Sequence, residues 1–344
     1  MLFMASEILA LPQVARQHPD SVLWQFIGFN TNHVQWVGWS LWDLIQPSFM
    51  FMVGVALPWS VESRLSKGQT PGTMWLHALW RSFLLIALGI FLRSVGRPMT
   101  NFTFEDVLTQ IGLGYPILFA LAFVRPRYQA IAAGVILVGY WLAFALYPAP
   151  PVPQFLQGFA AHWDKADNFA AWNDRWFLNL WPRPEPFLAN RGGYQTLNFV
   201  PSLATMIFGL LAGGSLKRGT VKPLVIWSIP AIALGLILNA TGICPMVKRI
   251  WTPSWTLFSG GCTLLLLGLF YWIIDLQGQR RWAFPFLVVG MNSIAMYCMV
   301  HLMDKFLGDS LRTHLGIQYP QPWVLLILWL ILLWMYRRQI FLRI

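Results

Sequence analysis

Charge is scarce in this sequence. Only 11% of its 344 residues are Asp, Glu, Lys or Arg, and 57% are hydrophobic, where a soluble domain carries roughly 25% charged residues. With a mean hydropathy of +0.55, the chain has too little polar surface to remain in water and reads as a polytopic membrane protein. Acidic residues are scarcer still, 13 against 24 Lys and Arg. The basic excess does not point to nucleic acid, because the cations fall in short clusters between apolar runs rather than along one face. Cysteine is nearly absent: Cys244, Cys262 and Cys298 show no CxxC or CxxxC spacing, so neither a disulfide framework nor a zinc site is supported. Phosphate-loop, dinucleotide-binding and nucleophile-elbow motifs are missing. No inverted pair of Gly- or Pro-broken helices is evident to mark a transporter.

What is present is a succession of apolar runs. The first, 1–11, is shorter than the ~20 residues that a span needs and lacks the flanks of a signal peptide. The chain is therefore expected to begin inside its first helix, with Glu7 in or near the outer half; an interfacial helix with Glu7 in water is the alternative. A polar loop, 12–39, should follow. Further spans are expected at 41–61, 76–95, 107–124, 130–147, 197–214, 223–239, 255–274, 283–303 and 323–336. Laid out alternately, these put Arg64 and Lys67, Arg125 and Arg127, Lys217, Arg218 and Lys222, Arg280 and Arg281, and the tail arginines on one side, with only Glu62 and Asp275 as acids there. That asymmetry marks the cytoplasmic side. The expectation is an all-α transmembrane bundle of about ten spans in a single domain, 1–344, with the C-terminus cytoplasmic, in the inner membrane if the host is bacterial.

The longest polar segment, 148–196, is rich in Pro, Trp, Asn and Asp and is expected as a large outer loop. Its tryptophan density argues against disorder. Flat rings interleaved with planar polar groups suit a carbohydrate surface, and a cap packed on the helix ends is the alternative.

Ionisable groups at membrane depth are costly and concentrate attention on a few positions. His33 stands just before a span and Asp43 just inside it. Histidine suits proton removal from an amine or hydroxyl near neutrality; an aspartate at a helix start orients such a group, binds a hydroxyl, or simply caps the helix. Asn292, Ser293, Tyr297 and His301 recur at helical spacing, either lining a wet cavity or bonding across helices. Lys248, Arg249, Trp251 and Trp255 stand at an outer helix mouth, as snorkelling anchors or as a substrate rim.

These stretches resemble the heparan-alpha-glucosaminide N-acetyltransferase family, membrane enzymes with bacterial relatives. The resemblance rests on HVQWVGWSLWDLIQPSFMFMVGVALPWS, EDVLTQIGLGYPILF, YQTLNFVPSLATMIFGLLAG, CPMVKRIWTPSWTL and FPFLVVGMNSIAMY, which occur in the family's order; the His-x-x-Trp-x-Gly and Gly-Met-Asn-Ser-Ile elements are its more specific parts. The family's opening Leu-Asp-x-x-Arg-Gly element is absent here. The resemblance implies acetyl transfer from cytoplasmic acetyl-CoA, as co-substrate and without a metal, to an amino sugar or related glycan on the periplasmic side. It makes His33 and Asp43 the catalytic candidates. Glu7, Asn32, Trp36, Asn198, Trp251, Trp255, Asn292, Ser293 and His301 are the substrate-binding candidates, and Arg64, Lys67 and Arg81 those for the CoA phosphates. Expected partners are membrane lipid and a glycan acceptor, with a homodimer open. The competing reading is a proton-coupled transporter or flippase for a glycan or lipid-linked sugar.

Overall fold

The structure, a computed structural model, describes residues 6, 8–165 and 167–342. Those residues are helical or irregular, with no strand among them. The helices are α1 (Leu11–Gln17), α2 (Val22–Asn30), α3 (Ile45–Ser66), α4 (Pro71–Ser94), α5 (Val107–Leu121), α6 (Pro126–Ala145), α7 (Phe169–Phe177), α8 (Phe199–Lys217), α9 (Lys222–Ala240), α10 (Pro253–Tyr271), α11 (Phe284–Met291), α12 (Ser293–Leu315) and α13 (Gln321–Arg337). Proline in the first turn of α4, α6, α9, α11 and α13 starts them at no hydrogen-bond cost, since those amides have no intrahelical partner. Side chains cap others: Asp106 accepts from the amides of Leu108 and Thr109, and Asn168 from that of Ala171.

Six helical stretches among the described residues are long and apolar enough to cross a membrane: Leu41–Ser66, Pro71–Ser94, Pro126–Ala145, Thr196–Lys217, Lys222–Ala240 and Pro253–Leu276. The chain is an integral membrane protein. The expected spans at 107–124 and 323–336 form α5 and α13, apolar but only 15 and 17 residues long. The expected span at 283–303 is not one helix. Its parts, α11 and α12, meet at a 69° bend, with Asn292 between them outside helical geometry. Residues 12–39 are not simply a loop either. Ser21 caps α2 over the apolar run that follows it, and α1 precedes it. Most of the first apolar run lies outside the described residues.

The chain divides into two compact units: Met1–His33, Ser40–Trp42 and Phe270–Ile344 form one, and Val34–Trp39 with Asp43–Leu269 the other. In the larger unit α8 is central, its span 67% buried against 17% for α9. α3 and α8 run side by side in the same direction. Gly54 meets the backbone of Met206 and Leu210, Gly209 that of Phe51, and Gly213 that of Val55, so closely that a Cβ at any of the three would collide. Lipid tails are as apolar as the helices, so association there depends on such close backbone packing. α4 and α5 pair antiparallel, with the Ser82 hydroxyl donating to Gly112 O at 2.5 Å. α9 and α10 do so through Gly235 and Gly261.

Short connections close one end of this unit, beside Arg64, Lys67, Arg125, Arg127, Lys217 and Arg218; the long ones gather at the other. The long polar segment is ordered into a 3-10 turn at Gly158–Trp163, α7, and a turn at Leu178–Leu180. Trp163 is fully buried with Trp36, Tyr140, Phe144, Val247 and Ile250, so this segment caps helix ends. Trp172 and Trp176 remain exposed. In the smaller unit α11, α12 and α13 enclose an apolar cluster that includes Val288, Met296, Val300, Val324, Leu328 and Leu332.

Gly209→Leu should destabilise the α3/α8 crossing by at least about 1–3 kcal/mol, the usual cost of overpacking. Gly134→Ala, on an open face of α6, should be neutral or slightly stabilising. Thermal melts of the detergent-solubilised variants check both, and equal melting temperatures would refute the packing argument.

Candidate active site at the loop end of the larger unit

A group of buried charge in the larger unit gathers where Val34, Asp43 and the segments 190–198 and 244–255 meet. Asp43 is 1% exposed, in the 3-10 turn Leu41–Leu44 that leads into α3. Its Oδ2 accepts from the amide of Val34 at 3.4 Å. Arg249 ties the segments together: Nη1 donates to Gly192 O at 2.5 Å and Nη2 to Val34 O at 3.2 Å, while its own carbonyl accepts from Asn198 Nδ2 at 2.8 Å. Beside it Lys248, only 3% exposed, donates from Nζ to the Tyr194 phenol oxygen at 3.2 Å. Both cations also lie near the Tyr194 ring, Nζ at 4.9 Å and the Arg249 guanidinium carbon at 5.4 Å from its centre, an attraction to the ring quadrupole.

Local geometry explains why these side chains are held. Gly193 has φ +79° and lies against the indole of Trp36, so a side chain there would be both strained and blocked. Trp36 donates from Nε1 to Trp163 O at 3.1 Å. Trp251, in the left-handed region at φ 49°, is fully buried and donates to Thr205 Oγ1 at 3.3 Å. A non-glycine residue in that region is uncommon, and its surroundings must impose it.

Burial lowers the Lys248 ammonium to about 8; the Asp43 carboxylate works against that fall and Arg249 adds to it. Burial raises the Tyr194 phenol to about 12, with Arg249 pulling it down and Asp43 pushing it up. Nearby, burial also raises Glu105 and Asp106, the nearby charge of Arg93 opposing both shifts. Asp174 on α7 is raised to about 7, again chiefly by burial, with Glu105 adding and Arg183 opposing. Its Oδ2 accepts from the amide of Thr196 at 2.9 Å, joining α7 to the start of the α8 span. Polar atoms buried without a hydrogen-bond partner in the neighbouring segments include Gln195 Oε1, Asn198 Oδ1, Arg249 Nε and Trp255 Nε1. A buried polar atom left unpaired is costly, and such atoms are often where ligand or water binds.

The sequence-derived candidates divide between the units. Asp43, Trp36, Asn198, Trp251 and Trp255 lie in the larger one. Asn32, His33, Asn292, Ser293 and His301 lie in the smaller; Glu7 falls outside the described residues. His33 is exposed, its ring edge-on to Trp42 at 6.2 Å. Asn32 is engaged within its own turn, donating to Gly28 O at 2.8 Å and accepting from Ser40 Oγ at 2.6 Å. Asn292 donates to Ile340 O and accepts from the amide of Leu342, both at 3.0 Å, so its side chain holds the C-terminal segment. The bend also separates Asn292 from the continuous stripe expected with Ser293 and His301. His301 is exposed, packed on Tyr297 at 4.4 Å.

At the basic end, Arg64 donates to Gln69 Oε1 at 3.3 Å, Lys67 closes α3, and Arg81 donates to the Tyr115 phenol at 3.3 Å. A cleft of about 380 Å³ there is lined by Pro58, Gln129, Gly214, Lys217 and Arg218 among others, and by none of the three arginine and lysine candidates. Sequence reasoning read Lys217 and Arg218 only as topology markers, and passed over Tyr194, Glu105 and Asp174. Two adjacent glycines before Tyr194 were the available signal for the first; the acids carried none, because their burial comes from segments far away in sequence.

The fold and this charged group define a many-spanning helical membrane protein with a buried polar centre at the loop end of its helices. No family model matches the chain. It is 24% identical, over an alignment of 373 positions including gaps, to the human protein named heparan-alpha-glucosaminide N-acetyltransferase, covering 90% of this chain and 55% of that protein. It is 23% identical over 329 residues to the mouse protein of the same name, covering 80% of this chain and 49% of that one. The chain is thus similar to two heparan-alpha-glucosaminide N-acetyltransferases, and it spans about half the length of these curated relatives.

Unfolded, Asp174 has an ordinary carboxyl pKa of 3.8; folded, it is raised to about 7. A raised folded value means that its contribution to stability is full below the unfolded value and is lost as pH rises through about 7. Asp174→Asn, which keeps an acceptor for the Thr196 amide, should therefore gain in melting temperature over the wild type from about pH 5 to about pH 8. A pH-independent difference in thermal melts would refute it.

Proposed function

We propose that this protein is a membrane acetyltransferase moving an acetyl group from acetyl-CoA, taken up on the cytoplasmic side, to an amino sugar or related glycan on the opposite, periplasmic side. The observation that carries this reading is the similarity to the two named N-acetyltransferases over 80–90% of the chain. The buried Asp43, Tyr194, Lys248 and Arg249 at the loop end of the larger unit support it, since ionisable groups so placed are expensive without a function. The topology goes with it: ten spans made of the six long helices, the bent α11/α12 pair, α5, α13 and the first apolar run. The basic end and the C-terminus then face the cytoplasm, in keeping with the placement of the cations.

In this reading His33 removes the proton from the acceptor ammonium or hydroxyl, and the freed lone pair attacks the thioester carbonyl as the CoA thiolate departs. Asp43 fixes the local backbone through the Val34 amide, the peptide that directly follows His33 in the chain. Asn198, with its buried unpaired Oδ1, and Trp255, with its buried unpaired Nε1, offer one acceptor and one donor to a sugar hydroxyl or acetamido group. Lys217 and Arg218, beside the cleft at the basic end, add to Arg64, Lys67 and Arg81 as cations for the CoA phosphates.

One observation favours the carrier reading: the 69° break between α11 and α12, since discontinuous helices are common where transporters bind their cargo. The two readings part on CoA. Acetyl-CoA should raise the melting temperature of the detergent-solubilised protein. His33→Ala should lose about a hundred- to ten-thousand-fold in acetyl transfer while keeping that thermal shift. No stabilisation by millimolar acetyl-CoA, together with uptake of a glycan into proteoliposomes, would favour the carrier and sink the enzyme.

A further inference from the structure

Lys248 is unusual because its whole side chain is enclosed. At 3% exposure it cannot snorkel to water, although a long flexible ammonium ordinarily does so. It is held by the 3-10 turn Lys248–Ile250, which ends at Trp251 in a left-handed conformation. Tyr140 fixes the same turn from α6, its hydroxyl donating to Ile250 O at 3.0 Å. The fold thus applies backbone strain and a buried hydrogen bond to keep a cation inside. If bulk were all that mattered, an apolar side chain of the same length would cost less.

The groups acting on it come from each segment packed around it. Tyr194, from the turn after the Gly-Gly pair, accepts its hydrogen bond. Asp43, from the start of the α3 span, favours its charged form, and Arg249, its chain neighbour, disfavours it. Glu105 and Arg93 act one step further out, through Tyr194.

We propose that Lys248 is a positioning residue of the candidate site, its ammonium fixing the Tyr194 phenol through their hydrogen bond. This rests on the acetyl-transfer reading. When the ammonium donates to the phenol oxygen, the phenolic hydrogen is directed away from it, so Tyr194 presents a donor to its other neighbours. Losing a proton from Lys248 removes the charge that Asp43 favours and lifts that constraint on the phenol, since a neutral amine can accept as well as donate. The arrangement is then intact only while Lys248 is protonated, and turnover should fall along a basic limb near pH 8.

The experiment measures acetyl transfer from acetyl-CoA across pH for the wild type, Lys248→Met and Lys248→Arg, with thermal melts of the same proteins. Lys248→Met should lower kcat about a hundredfold with KM for acetyl-CoA little changed and no limb near pH 8. Lys248→Arg, which cannot lose its charge, should recover part of the rate and shift the basic limb to higher pH. In the melts, a lysine lowered on folding destabilises most below its folded value, and that cost is relieved as pH rises toward its unfolded value of 10.5. The wild type should therefore gain on Lys248→Met between about pH 7 and about pH 10. Wild-type kcat in Lys248→Met, an unmoved basic limb in Lys248→Arg, or a flat melting difference would each overturn the proposal. A wild type that transfers no acetyl group while showing the melting gain would overturn the acetyl-transfer reading and the positioning role with it, leaving only a buried titrating lysine.

Discussion

One guanidinium holds together segments that lie far apart in the chain. Arg249 donates to the carbonyls of Val34 and Gly192, and its own carbonyl accepts from Asn198. Charged hydrogen bonds of this kind are stronger than neutral ones, and a planar fork of donors reaches two acceptors at fixed geometry. The carbonyls it serves belong to irregular backbone, which is tolerated at the edge of the hydrocarbon only where protein satisfies it. Placing Lys248 and Tyr194 depends on this tie, because both sit on the segments that Arg249 joins. So does the fit of Trp36 against Gly193.

The larger unit supplies a rigid base for that group. Close backbone contact between α3 and α8 makes the start of the α3 span, with Asp43, and the start of the α8 span, with Asn198, two ends of one packed pair. The long polar segment then works as structure: Trp163 is buried under α6, and Asp174 accepts from the first residue of the α8 span. Burying acids and cations this close carries a desolvation cost, visible in the raised Glu105, Asp106 and Asp174 and the lowered Lys248. Such shifts cluster where a protein does chemistry, although structural networks produce them too. The smaller unit has a different character. Its broken pair, α11 and α12, is joined at Asn292, whose amide is occupied in holding the C-terminal segment.

Composition and apolar run length determined much by themselves: a helical membrane protein, the position of its six long spans to within a few residues, and the separation of basic connections from long polar ones. Bilayer thickness and the cost of charge in hydrocarbon leave few alternatives, so these properties are written locally. The motif around His33 and Asp43 and the stretch from Cys244 to Ser259 were also legible as places of interest, and the resemblance they carried agrees with the named relatives. Only the tertiary structure decided that Lys248 is enclosed rather than snorkelling, that Tyr194 receives its hydrogen bond, that the ninth apolar run is bent at Asn292, and that Asp174 is buried far from its ordinary titration. Each of these depends on which distant segment closes over a polar group and removes its water, and no spacing within a single stretch of chain records that.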